Sequence, residues 1–106
     1  MSTVEKRGAK RISYRSEVVC STTSNTPLDP RISDLSTTGA FIDSMGGIPA
    51  GSRMFLRFPL PSGDVVSVEA EVVHSMAHFG MGVRFLDLDD AARRAIEALV
   101  DDADPL

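Results

Sequence analysis

Two arginines four residues apart, Arg7 and Arg11, lie in Arg7-Gly8-Ala9-Lys10-Arg11, just ahead of the first apolar alternation in the chain. Further on, Asp34-Leu35-Ser36-Thr37-Thr38-Gly39 joins a carboxylate, a hydroxyl and a glycine in one short polar stretch. A guanidinium is a planar fork that can grip a phosphate or the O6/N7 edge of guanine with two hydrogen bonds, and its flat cation stacks on a base. An aspartate supplies the reverse, because its two acceptor oxygens match the N1–H and N2–H donors of the guanine Watson–Crick edge. The Ser36 hydroxyl could support either partner, and Gly39 would let backbone approach a ligand closely. Each half alone has a plainer reading, a solvated tail for the arginines and an ordinary turn for Asp-x-Ser-x-x-Gly. Together, in this order, they describe a site for guanine and phosphate in one molecule.

Other chemistry finds little support. No serine sits in a strand-turn-helix elbow, and Cys20 has no histidine near it in sequence, so a nucleophile with its base is not readable and the chain is not expected to be an enzyme. His74 and His78 straddle a strand end and a turn, where a spacing of four does not align side chains, and no metal site is expected. Met54, Met76 and Met81 read as core filler, and Asp101, Asp102 and Asp104 as a solvated acidic tail.

The elements that must hold the arginines and the aspartate are strands. Period-two alternation dominates from residue 12 to residue 86 and calls for strands with one buried face. Ile12, Tyr14, Ser16, Val18 and Cys20 line one side of a first strand, followed by a loop from Ser21 to Pro30. Met54, Leu56 and Phe58 form another buried face, and Pro59 to Asp64 a tight connection to the clearest half-buried strand, with Val66, Val68, Ala70 and Val72 inward. Phe79, Met81, Val83 and Phe85 form the inward face of its partner, with Gly80, Gly82 and Arg84 facing away. After Phe85 the period changes, and Leu88, Ala92, Ala95, Ile96, Leu99 and Val100 fall at helical spacing behind the acidic cap candidates Asp87, Asp89 and Asp90. The expected fold is all-β, a small six-stranded antiparallel barrel with one C-terminal helix covering an opening or edge. The expected organisation is a flexible basic arm over residues 1–11, the barrel and helix over 12–101, and a loose tail over 102–106.

Composition sets the limits within which such a site can work. At 106 residues the chain suits one small domain, too short to wall a deep catalytic cavity on every side. The net charge of -4 conceals an asymmetry: residues 1–16 carry +4 and the remainder -8. A basic arm ahead of an acidic body suits a compact anion better than a nucleic-acid polymer, which would need Lys and Arg spread over a whole face. A lone cysteine cannot close an internal disulfide and points to a reducing compartment. The first twenty residues lack an apolar leader core, and no stretch approaches the ~18 apolar residues of a membrane span. The expected setting is cytoplasmic, with no direct membrane insertion.

With these residues in place, the sequence resembles the PilZ domain family, bacterial receptors for the second messenger cyclic di-GMP. The family signature is Arg-x-x-x-Arg, a spacer of roughly two dozen residues, and Asp/Asn-x-Ser-x-x-Gly; Arg7/Arg11 and Asp34/Ser36/Gly39 supply both halves, with 22 residues between Arg11 and Asp34. The resemblance covers about residues 5 to 100, including Gly82-Val83-Arg84-Phe85 and the helix after it. It implies a six-stranded barrel with a terminal helix, cyclic di-GMP as ligand, and a site made of Arg7, Arg11, Asp34, Ser36 and Gly39. Arg11-Ile12-Ser13-Tyr14-Arg15 is also Arg-x-x-x-Arg. In the family the second arginine directly precedes the first strand, which favours Arg7 and Arg11 and leaves Arg15 a strand residue and secondary candidate. Lys6 stands where many members carry a further arginine; a lysine keeps the charge but cannot fork or stack, so the resemblance implies a ligand monomer or an intercalated dimer. The implied mechanism is an arm that orders over the barrel on binding and signals to a downstream protein partner not identifiable from the chain. The alternatives are a PilZ-fold adaptor that binds a protein but no nucleotide, and a small nucleic-acid-binding barrel. With no Trp, one Tyr and five Phe mostly at core-phase positions, the latter has few rings for base stacking.

Overall fold

The computed structural model describes residues 10–22, 29–45, 48–76 and 78–103. Strands β1 (Ile12–Glu17), β2 (Val19–Ser21), β3 (Arg31–Leu35), β4 (Gly39–Asp43), β5 (Arg53–Pro59), β6 (Val65–Met76) and β7 (Gly80–Leu86) precede helix α1 (Asp90–Asp102). They form one antiparallel sheet in the order β1-β3-β4-β7-β6-β5-β2. Its two outermost strands are consecutive in the chain, so the sheet curls round until its ends meet at Val18. Six strands were expected and seven are found among the described residues, because the chain leaves the ladder at Val18 and changes partner there: β1 pairs with β3 and β2 with β5. Switching sheets at a bend is how strands turn barrel corners. Val18 at the break and Cys20 beyond it both stay buried, so the alternation runs through.

The buried face is the one the alternation marks. Met54, Leu56, Phe58, Val66, Ala70 and Val72 are each almost wholly enclosed, and Phe58 and Phe85 stack with ring centroids 6.4 Å apart. The helix begins where the Asp89 carboxylate accepts from the Ala92 N–H at 2.8 Å, satisfying one of the donors a first turn leaves free. It buries Ile96 and Val100, with Ala92, Ala95 and Leu99 packed partly against the same core.

Two residues expected in the core lie outside it. Phe79 is 70% exposed, because the β6–β7 turn extends through it: its N–H donates to the Met76 carbonyl at 3.0 Å, and the strand starts at Gly80. Met76, at the end of β6 beside this turn, is 47% exposed, whereas Met54 and Met81 are core residues as expected.

The strict alternation also breaks at two points within strands. On β3, Ile32 pairs with Ile42 but Asp34 pairs with Phe41, so Ser33 is an extra residue. On β6, Val72 pairs with Val83 but His74 pairs with Gly82, so Val73 is extra. Each bulge reverses the phase of the strand beyond it and re-aims a side chain. Ile32 and Val72 point into the core, while Asp34 and His74, two residues further on, face out.

Candidate ligand-binding site

Arg11 and Asp34, one residue from each half of the signature, meet on the outer face of the sheet. Pairing of β1 with β3 sets Ile12 opposite Leu35 and Ser13 opposite Asp34, so the residue just before β1 falls beside the end of β3. There Arg11 donates from Nη1 to Asp34 Oδ1, 23 positions away in sequence. The same oxygen accepts from the Phe41 N–H at 3.2 Å, which ties the carboxylate to β4. The Arg11 side chain is 42% exposed and that of Asp34 22%. Surface pairs of this kind contribute at most about 1 kcal/mol, so a ligand can compete for either partner at little cost to the fold.

The Ser36–Gly39 turn is built differently. Ser36 is 1% exposed, donates its N–H to the Gly39 carbonyl at 2.9 Å, and accepts at Oγ from the N–H groups of Thr38 and Gly39, both at 3.2 Å. Its hydroxyl also lies 3.0 Å from that of Thr38. The Thr38 carbonyl accepts from the Phe85 N–H at 2.9 Å, fastening the turn to β7. A Cβ on Gly39 would stand 2.1 Å from the Val83 carbonyl oxygen, so close packing against β7 is itself a reason for glycine here. Ser36 and Gly39 thus shape and anchor the turn beside which Asp34 is displayed.

Lys6 and Arg7 lie outside the described residues. Arg15 sits on the exposed side of β1, next but one to Ser13. Sequence reasoning did not assign site roles to three residues on the strands that follow β3 across the sheet. Arg84, opposite Gly39, holds Glu71 on β6 at 2.5 Å. Phe41 lies opposite Asp34, and His74 lies beyond it on β6 with its ring against Gly82. Arg84 was legible as an outward residue of its strand, but its place beside the turn follows from strand register, and that of His74 from the bulge at Val73.

Elsewhere, burial pushes the Cys20 thiol up to about 11 and makes it a poor nucleophile at neutral pH. At the far end of the sheet a cleft of about 400 Å³ opens between Asp29, Arg31, Asp43, Met45, His78 and Phe79. No described helix is long and apolar enough to cross a membrane.

The chain belongs to the PilZ domain family, whose model matches residues 5–102. No curated protein matches it by sequence. Among solved structures it is similar to the Bacillus subtilis inhibitor of motility, MotI/DgrA, at a TM-score of 0.79 and 14% identity. That match covers 95% of this chain and 52% of the other, so the chain spans about half the length of that relative. It is also similar to the PilZ domain of Escherichia coli YcgR, solved with c-di-GMP, at a TM-score of 0.71 and 17% identity, covering 92% of this chain and 90% of that one. At these identities the likeness is one of fold.

Proposed function

We propose that this protein is a receptor domain for cyclic di-GMP that acts by binding rather than catalysis, in the cytoplasm, and passes the signal to a partner protein. The observation that carries the reading is the meeting of Arg11 with Asp34, which joins a phosphate- and guanine-gripping fork to a guanine-reading carboxylate at one exposed point of the sheet. In this reading Arg7 and Arg11 contact guanine and phosphate, Asp34 holds a guanine edge, and Ser36 and Gly39 keep the turn in shape beside it. The arm orders over the barrel as ligand arrives, which presents a different surface in the two states.

Isothermal titration with cyclic di-GMP, run beside GTP and cyclic di-AMP, tests it. Saturable, guanine-selective heat is expected, with a ligand-to-protein ratio near one or two separating a bound monomer from an intercalated dimer. Arg11→Ala should lose about 1 to 3 kcal/mol, roughly ten- to a hundredfold in affinity. Absence of heat at about 100 micromolar ligand would turn the assignment to a protein-binding adaptor.

A further inference from the structure

The outer face of β5 and β6 sorts its charges by strand. Arg53, Phe55 and Arg57 point outward from β5, and Ser67, Glu69 and Glu71 from β6. Register sets Arg53 opposite Glu71, Phe55 opposite Glu69 and Arg57 opposite Ser67. It continues to β2 with Phe55 opposite Ser21 and Arg57 opposite Val19. A column of guanidiniums therefore stands beside a column of carboxylates, with an aromatic ring in the middle. Phe55 is 62% exposed, and Val19, diagonally next to it, 63%. Ion pairing within the chain uses these charges only in part. Arg84 of β7 holds Glu71, Arg53 reaches Glu69 at a loose 3.6 Å, and among the described residues Arg57 has no ion-pair partner. A large ring left in water between two guanidiniums has the composition of an interface centre, where aromatic residues and arginine are enriched.

We infer that this face binds a second copy of the chain, in a two-fold dimer whose axis runs along the strands between β5 and β6. Such a rotation lays β5 of each copy over β6 of the other. Each column of cations then meets the carboxylates of the other copy, and the two Phe55 rings meet side by side at the axis. An axis across the strands at Phe55 would set Arg53 against Arg57 instead. The patch thus carries both halves of its own complement, which is what a contact between identical surfaces requires. β5 is seven residues long, and at about 3.4 Å per residue and 4.8 Å between strands the face of β2, β5 and β6 measures about 24 by 14 Å. That is below the roughly 800 Å² per partner of a standard interface, which sets the dissociation constant in the micromolar range rather than beneath it. β5 lies four strands from β3 in the sheet, so the contact is separate from Arg11 and Asp34 and does not depend on the nucleotide reading.

Sedimentation of the complete chain without nucleotide, from about 5 micromolar to about 1 millimolar, tests the dimer. The wild type should pass from monomer to dimer across this range, and added salt should move the midpoint upward by screening the facing charges. Phe55→Ser should weaken association about tenfold or more, and because the side chain is exposed a thermal melt should find the variant folded. Arg53→Glu and Glu69→Arg should each weaken it about tenfold by setting like charges face to face. Mixed in equal amounts, these two charge variants should recover the dimer, since the reversed charges then face each other across the axis. A wild type that stays monomeric at the highest concentration overturns the inference. So does a dimer that the folded Phe55→Ser and charge variants leave unchanged, or a mixture of the charge variants that recovers nothing.

Discussion

The β3–β4 turn and the β5–β6 turn are written in similar letters, Ser36-Thr37-Thr38-Gly39 and Pro61-Ser62-Gly63-Asp64, and the protein uses them in opposite ways. In the second, Leu60 and Asp64 close the hairpin with an N–H to carbonyl bond of 2.8 Å, and Ser62 Oγ donates to its neighbour Asp64 at 2.7 Å in full exposure. Gly63 takes a φ of +98° with nothing within 4 Å of where a Cβ would be. The first turn faces inward: its serine is buried, its carbonyl at Thr38 is held by β7, and its glycine is pressed against a β7 carbonyl. One glycine is required by its own backbone torsion, the other by a neighbouring strand. The turn that borders Asp34 is the one the rest of the sheet holds still, and a rigid support is what a binding constellation needs.

The contrast predicts unequal consequences for equal substitutions. Gly39→Ala should be the most damaging, destabilising by about 3 kcal/mol or more, because backbone on both sides must move. Gly63→Ala should cost about 1 kcal/mol, the torsional penalty alone. Urea unfolding of the two variants measures the gap, and equal losses would mean that the Gly39 turn can relax away from β7. Ser36→Ala leaves two N–H groups without their acceptor and should cost about 1 to 3 kcal/mol, whereas Ser62→Ala should change stability by no more than about 0.5 kcal/mol. Thermal melts of this pair make the same comparison through hydrogen bonding.

The smallest effect separates the interior from the outer face. The folded state raises the Cys20 thiol from its ordinary 9.0 to about 11 by burial. The folded protein therefore binds this proton more tightly than the unfolded chain does. The thiol's contribution is fully present below pH 9.0 and is lost as pH rises through about 11. Cys20→Val should flatten that part of the alkaline decline in urea midpoint, leaving the neutral value little changed. An identical alkaline slope in the variant would assign the decline to other groups.

Much of the fold could be read in advance, because burial on one side of a strand writes itself as alternation. The inward faces of β5 and β6 and the helix behind Asp89 come directly from that pattern. Phe79 and Met76 did not, since a turn that extends past its expected end carries apolar side chains into solvent while leaving the local letters unchanged. In the site, the residue types at Arg11 and Asp34 announced their chemistry, and the resemblance to the family signature paired them. The anchoring of Gly39 was invisible, because its cause is a carbonyl at Val83, on a strand far along the chain.

By itself the sequence determined the all-β class, the inward faces of β5 and β6 and the terminal helix, all of them consequences of local period and side-chain chemistry, and it carried the two motif halves by which it resembles the family. Only the tertiary structure decided that Val18 splits the first strand between two partners, that Ser36 is spent on its own turn, and that Asp34, Phe41 and His74 share one row. Those facts depend on register and on single-residue bulges. One extra residue reverses a strand's two faces, and which residue is extra is settled by the neighbouring strands it must pair with.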